Sequence, residues 1–393
     1  MSVTQQAEPV LRLVMTEEER ALRETVFSLT AAFGPAYYEK ANREKRSPVE
    51  LWSALADGGF LGVHLPEEYG GGGMGLQELT AVLEETGAAG VPLLGLLVSP
   101  GIIGTILSRH GTQEQKDKWL RRIADGSMKF SFGLTEPNAG SNSHNLETTA
   151  VRQGDTYVVN GQKYYISGVD ECDLICLVVR TGRSANGRGE LTLLMVDPNA
   201  PGLTRQPIET VLEEPEKQFT LFFDNVEVPA ENRVGEEGKG LRVAFDGLNP
   251  ERILSAAVSL GVARYALDKA TKYARDRKVW STPIGAHQAI AHPLAEAKVK
   301  YDLARFAMQR AAALYDAGLD AGEASNIAKL AAAEAGVFCL DRAIQTHGGN
   351  GVAREYQLAN YWFLARLQLI APVSREMILN FISEHTLNLP RSY

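Results

Sequence analysis

Hydrophobic and polar positions follow a helical period at both ends of the chain and a strand-like period in its middle. Near the N-terminus, TEEERALRETVFSLTAAF begins with the candidate cap Thr16, and TQEQKDKWLRRIADG runs from the candidate cap Thr112 to a stop at Gly126. From residue 129 to about residue 234, short β-branched and aromatic runs alternate with turn residues. After Gly240 the helical period returns and holds almost to the C-terminus.

This pattern predicts a multidomain α+β protein. We expect an N-terminal helical domain at residues 1–125, a central all-β domain at 126–236 and a C-terminal bundle of long helices at 237–393. Within the β domain, Asn160-Gly161 lies between the runs TYVV and QKYY. Because Asn-Gly suits the positive φ values of a type I′ turn, it predicts a hairpin over residues 157–164.

Composition narrows the class of protein. A length of 393 residues suits two or three domains, and 45% hydrophobic and 22% charged residues are typical of globular chains. A net charge of −8 gives no reason to expect a nucleic-acid partner. The three cysteines, Cys172, Cys176 and Cys339, are too few for a disulfide framework, and no targeting signal is visible at the N-terminus. A reducing, cytoplasmic setting is therefore expected.

One uncharged stretch, residues 86–108, is long enough to cross a bilayer. Its five glycines and two prolines favour a buried, broken helical segment over a membrane-spanning helix. No metal is expected either, because neither the pair Cys172 and Cys176 nor the pair His287 and His292 has the spacing of a zinc site.

Three polar segments are candidate sites. LTEPNAGSN (134–142) offers hydroxyl, amide and glycine-exposed backbone groups, which suit either a binding loop for a planar ligand or a structural turn. QTHGGNG (345–351) follows a long helix, and its glycines favour a helix stop over a phosphate-binding loop. In GLNPERI (247–253), Glu251 is either a first-turn carboxylate of a helix capped by Asn249 or a base that removes a proton.

Together these segments resemble an acyl-CoA dehydrogenase. The similarity rests on LPEEYGG, TQEQKDKWL, LTEPNAGS, NGQKYYISG, FDNVEVPAENRVGEEGKG, ARDRKVW with a following HQ, and QTHGGNG, in that order over nearly the whole chain. The resemblance implies an N-terminal helical domain, a central β-barrel domain and a C-terminal four-helix-bundle domain. It also implies FAD as cofactor, an acyl-CoA substrate, an electron-transfer flavoprotein as electron acceptor and, usually, a homotetramer.

The resemblance assigns cofactor roles to matching positions. The residues expected at the flavin and at the start of the acyl-CoA site are Phe132, Leu134, Thr135 and Ser141. Those expected to pass the flavin ring are Tyr165, Ile166 and Ser167. Those expected to hold the adenosine-diphosphate half of FAD, across a subunit contact, are Arg277, Trp280, His287, Gln288, Gln345, Gly348 and Gly349. An arginine and backbone amides suit a pyrophosphate.

The family's reaction needs a carboxylate that removes the proton α to the thioester while hydride leaves the β carbon for flavin N5. In many members this glutamate lies near the C-terminus, at the position of Pro372. In others, including isovaleryl-CoA dehydrogenase, it immediately precedes an arginine at the position of Glu251. We therefore predict Glu251 as the base, inside a long helix that Pro250 bends. The residues expected at the substrate are Ser141, Asn249 and Arg252.

Two departures from the family pattern keep other functions open. Pro372 has no N–H to donate to the thioester oxygen, and Phe363-Leu364 replace the family's Arg-Asp pair. The alternatives are a catalytically silent or partner-dependent subunit of a mixed tetramer, and an oxidase on the same scaffold. In each case the uncharged segment 86–108 is expected to line part of the acyl pocket.

Overall fold

The computed structural model describes residues 14–185 and 187–391, and these form two compact units. The first unit contains residues 14–40, 75–93 and 252–391, and the second contains residues 41–74 and 94–251 apart from residue 186. Both predicted domain boundaries therefore fall inside the second unit. One reason is that Gln115, on a helix before the sheet, donates from Nε2 to the carbonyls of Glu231 and Arg233 after it, each at 2.8 Å.

Helices dominate both ends of the chain and strands its middle, so the α+β class is confirmed. The α-helices are α1 (Glu17–Ala31), α2 (Gly34–Glu44), α3 (Val49–Asp57), α4 (Leu76–Ala88), α5 (Leu94–Leu96), α6 (Thr105–His110), α7 (Gln113–Ala124), α8 (Gly240–Asp276), α9 (Gln288–Asp316), α10 (Gly322–His347), α11 (Trp362–Leu367) and α12 (Arg375–Phe381). The strands are β1 (Phe130–Gly133), β2 (Thr149–Gln153), β3 (Thr156–Ser167), β4 (Leu174–Arg183), β5 (Gly189–Val196), β6 (Leu203–Ile208), β7 (Gln218–Pro229), β8 (Arg233–Val234), β9 (Lys278–Val279) and β10 (Thr282–Pro283).

The two predicted N-caps are confirmed. Thr16 Oγ1 accepts from the backbone N–H of Glu19 at 3.1 Å, at the start of α1. At the start of α7, Thr112 Oγ1 accepts from the N–H of Gln115 at 3.2 Å, and Gln115 Oε1 accepts from the N–H of Thr112 at 3.1 Å. This reciprocal pair is a capping box, which satisfies two N–H groups that the helix itself cannot. Gly126 follows α7 with φ +72°, as expected of a helix stop.

The central sheet has eight strands in the order β6-β7-β3-β2-β4-β5-β8, and β1 pairs with β4. Most pairs are antiparallel, but β1 and β2 run parallel to β4. Its inward face buries an apolar cluster that includes Tyr157, Val159, Leu177 and Leu221. The sheet is thus one-sided, with alternate residues of β3 buried in this core.

The predicted hairpin at Asn160-Gly161 is wrong. Both residues lie inside β3, and the turn that joins β2 to β3 is at Gly154, whose φ is +61°. Gly161 instead lies at an irregularity in the pairing of β3 with β7, where the register shifts between Val159 and Gly161. A Cβ at Gly161 would lie 2.6 Å from the Cα of Thr148, so glycine is required here by close packing as well as by its φ of +145°.

The uncharged segment 86–108 is a broken helical path, as predicted. α4 ends at Ala88, α5 follows, and the π-helical stretch Leu97–Gly104, which contains Pro100, leads into α6. Ile102 and Ile106 are completely or almost completely buried. Among the described residues, no helix is long and apolar enough to cross a membrane.

Helix α8 contains the whole of GLNPERI in its interior. It begins at Gly240, so Asn249 is not its N-cap and Glu251 lies beyond its third turn, with Pro250 inside the helix. The start of α8 packs closely on the uncharged segment, because a Cβ at Gly247 would lie 2.8 Å from Ile106. The helix-cap interpretation of Glu251 is therefore wrong, and the prediction that it lies within a long helix is confirmed.

Candidate functional site

The loop after β1 carries the first group of predicted site residues. Phe132 lies on β1 opposite Cys176 of β4, and Leu134 and Thr135 follow it half-buried. Ser141 lies further along the same loop and is exposed. The backbone N–H of Tyr164 donates to the carbonyl of Thr135 at 2.9 Å, so the loop is held against β3.

A buried ion pair fixes this loop. Lys163 of β3 is fully buried, and its Nζ donates to Glu136 Oε1 at 2.8 Å and to the carbonyl of Leu134 at 2.9 Å. The remaining acceptor sites of Glu136 take the N–H groups of Glu147 at 2.6 Å and Thr148 at 3.0 Å. Since every polar atom of the pair has a partner, the pair rigidifies the loop at both of its ends.

Burial and pairing shift the pKa values of both partners. Burial lowers the pKa of Lys163 to about 8, although Glu136 opposes that effect. Burial alone would raise the pKa of Glu136, but Lys163 and the hydrogen bonds from residues 147 and 148 bring it below its usual range. Both groups are therefore charged at neutral pH.

The second group lies two residues beyond Lys163 on the same strand. Tyr165 has φ +57° and is exposed, at a register shift between Lys163 and Ile166. Ile166 returns to the buried face, and the Ser167 hydroxyl donates to Gln218 Oε1 at 2.9 Å. The bulge thus turns the ring of Tyr165 out of the sheet next to the anchored loop. The structure brings the two segments together within the second unit.

Glu251 and Asn249 are half-buried on α8, also in the second unit, and each has polar or electrostatic contacts. Arg252 follows directly and belongs to the first unit. The side chains of Ile102 and Ile106 pack against Gly247, which lies one helical turn before Glu251. The Glu251 carboxylate is therefore carried on a helix that is packed one turn earlier on the uncharged segment.

The segment around Pro372 joins α11 to α12 and carries no carboxylate between residues 368 and 374. Glu376, the next one along the chain, is exposed in the first turn of α12. Phe363 is exposed on α11, whereas Leu364 is buried. No side chain here replaces the missing acid.

The predicted diphosphate-binding residues lie on two parts of the first unit. Arg277 follows α8, Trp280 forms the tip of the hairpin β9–β10, and His287 and Gln288 begin α9. Trp280 is 92% exposed with φ +55°, and its ring centroid lies 6.2 Å from that of His287. His287 and Gln288 are exposed at the N-terminus of α9, and the N–H of Ile284, just before this helix, donates to the carbonyl of Arg277 at 2.8 Å. An exposed helix N-terminus favours an anion.

The other part is the end of α10. Gln345 lies in its last turn, and Gly348 follows the helix with φ +58°. A Cβ at Gly348 or Gly349 would meet no atom within 4 Å, whereas one at Gly351 would lie 2.3 Å from the carbonyl oxygen of Ile344. The segment is therefore a helix stop, and it also presents open backbone that suits an approaching phosphate.

Sequence reasoning missed the polar groups that hold these segments in place. Glu136 lies within LTEPNAGS and Lys163 within NGQKYYISG, but neither segment by itself assigns a role to these two residues. A lysine at a strand position that alternation assigns to the interior is the signal that identifies it, because a buried lysine needs a carboxylate partner. The described residues contain no group of three or more His, Cys, Asp or Glu side chains that could hold a metal ion.

Sequence profiles of one known family match three consecutive parts of the chain. They are described as the acyl-CoA dehydrogenase N-terminal domain, over residues 16–127, the middle domain, over residues 131–226, and the C-terminal domain, over residues 238–387. Acyl-CoA dehydrogenase FadE12 of Mycobacterium tuberculosis is 49% identical over 382 residues, which cover 97% of this chain and 98% of that protein.

Solved structures give the same result. The glutaryl-CoA dehydrogenase complex with glutaryl-CoA superposes with a TM-score of 0.91 at 28% identity, covering 97% of this chain and 98% of that one. Butyryl-CoA dehydrogenase from Megasphaera elsdenii superposes with a TM-score of 0.89 at 26% identity, covering 95% of this chain and 99% of that one.

Proposed function

This chain belongs to the acyl-CoA dehydrogenase family, and from that premise we propose that Glu251 is the base that removes the α proton of an acyl-CoA thioester. The protein is an oxidoreductase of the acyl-CoA dehydrogenase type, and its cofactor is FAD. The observation that carries the proposal is the position of Glu251 deep within α8, one helical turn after Gly247, in a chain with no acid between residues 368 and 374.

The chemistry assigned to Glu251 requires a charged carboxylate on a rigid support. The α proton passes to this carboxylate, the electron pair of that C–H bond forms the new double bond, and the β carbon loses a hydride. Bound FAD supplies the acceptor for that hydride at flavin N5. Part of the uncharged segment 86–108 is proposed to line the pocket for the acyl chain. Ser141, Asn249 and Arg252 are proposed as contacts to the CoA thioester.

The residues present fit FAD. Open backbone at Gly348 and Gly349 and the α9 N-terminus beside Arg277 suit the pyrophosphate. In the second unit, the anchored loop and the bulge at Tyr165 offer hydroxyl and backbone groups for the flavin. The residues proposed to hold FAD are Phe132, Leu134, Thr135, Ser141, Tyr165, Ile166, Ser167, Arg277, Trp280, His287, Gln288, Gln345, Gly348 and Gly349.

Anaerobic mixing of the purified FAD-loaded protein with acyl-CoAs of varied length and shape tests the function. We expect at least one of them to bleach the oxidised flavin spectrum, because dehydrogenation reduces the flavin. A protein that holds FAD but is bleached by none would instead support the silent or partner-dependent subunit that Pro372 and Phe363-Leu364 suggest. Rapid reoxidation of the reduced flavin by oxygen would indicate an oxidase, whereas slow reoxidation supports an electron-transfer flavoprotein as acceptor.

We also propose a homotetramer, in which an apolar stripe on α9 contacts another subunit. The stripe consists of Val299, Leu303 and Phe306, which are 57%, 65% and 53% exposed. Spacings of four and three residues place them on one helix face. An exposed apolar face of this kind is typical of a protein contact.

Leu303→Glu is expected to shift the protein from tetramers to smaller species and to lower its FAD content. A carboxylate in an apolar contact has no partner and is costly to bury, and the resemblance places the diphosphate half of FAD across a subunit contact. Light scattering coupled to size exclusion, with flavin absorbance, measures both effects. Leu319→Glu, also exposed but outside the stripe, is the matched control. If both variants stay tetrameric with full FAD, the stripe is not the contact.

A further inference from the structure

The last turns of α8 hold the segment 348–357, which follows α10 in the same compact unit. Tyr265 and Lys269 are four residues apart and therefore lie on one face of α8. The Tyr265 hydroxyl donates to the carbonyl of Gln357 at 3.0 Å, and Lys269 Nζ donates to the carbonyl of Tyr356. The far end of the segment is thus fixed to α8 through two of its carbonyls.

Tyr273, the next residue on this face of α8, fixes the near end of the segment. Asn350 Nδ2 donates to the hydroxyl of Tyr273 at 3.1 Å and to the hydroxyl of Tyr356 at 2.9 Å, which uses both hydrogens of the amide. The ring of Tyr273 also stacks on that of His347, the buried last residue of α10, with centroids 4.1 Å apart and planes at 27°. Tyr273 therefore contacts the side chains on either side of the two intervening glycines.

The two glycines between these side chains have no support of their own. Gly348 and Gly349 are exposed, and a Cβ on either would meet no atom within 4 Å. Glycine loses more conformational freedom than any other residue when it is ordered. A ligand that binds this backbone would otherwise have to order it, so fixing both neighbours beforehand favours binding.

The same face of α8 leads on to Arg277. Arg277 follows Tyr273 by four residues, and its backbone N–H donates to the carbonyl of Tyr273 at 2.8 Å. Tyr273 is therefore connected both to the predicted diphosphate arginine and, through its ring and hydroxyl, to the open glycine backbone. A cation and backbone N–H groups are the two kinds of group that a diphosphate requires.

We propose that Tyr273 and Asn350 are positioning residues for the diphosphate of FAD. Their hydrogen bond holds the backbone of Gly348 and Gly349 in the conformation that binds the diphosphate, and neither side chain has to touch the cofactor itself. The inference rests on the proposed function, which assigns these two glycines to FAD.

Tyr273→Phe and Asn350→Leu test the proposal in the FAD-loaded protein. Phenylalanine keeps the stacked ring and loses only the hydroxyl, whereas leucine keeps the size of asparagine without its amide. Equilibrium dialysis against a series of free FAD concentrations measures the dissociation constant. We expect this constant to rise by about 5- to 10-fold in Tyr273→Phe, which loses one hydrogen bond, and further in Asn350→Leu, which loses two.

The double variant shows whether the two side chains act through one another. The Tyr273 hydroxyl supports the glycines through Asn350, so adding Tyr273→Phe to Asn350→Leu should raise the dissociation constant by no more than about twofold over Asn350→Leu alone. A double variant whose effect equals the product of the two single effects would mean that they act independently, which would overturn the proposal.

Tyr301→Phe separates positioning from general destabilisation. It removes the hydroxyl of another tyrosine of the first unit, one that donates to Glu84 rather than to the segment 348–357. We expect this variant to melt at a lower temperature than the wild type and to bind FAD with an unchanged dissociation constant. If it weakens FAD binding as much as Tyr273→Phe does, lost stability explains the effect and the positioning role is refuted.

The visible spectrum of the bound flavin gives a last readout. At saturating FAD it should be the same in Tyr273→Phe and in the wild type, because the change lies at the diphosphate end of the cofactor. An altered spectrum, or an unchanged FAD dissociation constant in both single variants, would contradict the proposal. None of these measurements uses an acyl-CoA, so a wild-type protein that no acyl-CoA bleaches would count against the proposed dehydrogenase reaction alone.

Discussion

Glu251→Gln is expected to leave FAD bound and to slow anaerobic flavin reduction by an acyl-CoA by about 100- to 10,000-fold. Glutamine has nearly the shape of glutamate, so α8 and its contacts with the uncharged segment are retained, but its amide cannot accept the α proton. Affinity for acyl-CoA should change little, because the substrate remains uncharged at its α carbon until the proton leaves. Stopped-flow absorbance of the flavin measures the rate, and acyl-CoA titration measures the affinity.

Glu376→Gln is the matched control. It makes the same change in Glu376, which is the first carboxylate after Pro372 in the sequence. Glu376 is exposed in the first turn of α12, so this variant should react like the wild type. The reverse pattern, a slow Glu376→Gln and an unaffected Glu251→Gln, would place the base on the C-terminal loop. Glu251→Asp should retain part of the activity, because it keeps a carboxylate but withdraws it by one methylene.

The order of helices and strands could be predicted because its signals are local. Thr16 and Thr112 cap helices through bonds to residues three positions on, and that spacing is visible in the sequence. The turn predicted at Asn160-Gly161 was wrong because its conformation does not depend on local signals. Its conformation is set by Thr148 and by the pairing of β3 with β7, whose residues are distant in sequence. Tertiary contacts therefore overrode a strong local turn preference.

For the candidate site too, one part could be predicted from the sequence and another part could not. Helical periodicity placed Glu251 in a helical region, but only the resemblance to a family favoured a base over a cap, since both interpretations use a carboxylate after Asn-Pro. The bond between Asn350 and Tyr273 joins residues 77 positions apart. No periodicity or motif predicts such a pair, because neither partner alone is unusual in its own segment. Contacts of this kind become visible only once the chain is folded.

A buried charge cluster in the first unit connects α1, α4, α8 and α9. Its members are Arg23, Arg264, Arg305, Glu19, Glu84 and Glu85. Arg23 Nη1 lies 2.7 Å from Glu84 Oε2 and 2.9 Å from Glu85 Oε1, and the hydroxyl of Tyr301 donates to Glu84. Three positive and three negative groups balance, so removal of one carboxylate leaves an uncompensated cation in a low-dielectric interior.

Glu84→Gln is therefore expected to destabilise the fold by about 3–5 kcal/mol near pH 7, which corresponds to a thermal midpoint lower by about 5–15 °C. Glu84 is 0% exposed. Circular dichroism at fixed protein and FAD concentrations measures the midpoint. Glu50→Gln removes the carboxylate of an exposed pair with Arg46 and should change the midpoint little. Equal shifts in the two variants would show that the cluster adds no more than a surface pair.

The pH dependence of that difference gives the sharper test. Burial alone would raise the pKa of Glu84, but the three arginines and the Tyr301 hydroxyl lower it to about 2. A folded-state pKa below the unfolded value of 4.5 means that the contribution is complete above about pH 4.5 and declines as the pH falls toward 2. The midpoints of wild type and Glu84→Gln should therefore converge between about pH 4.5 and pH 2, because over this range the unfolded chain binds a proton at Glu84 that the folded chain binds only near pH 2. A gap that stays constant over this range would mean that the stability comes from packing rather than from the charge of Glu84.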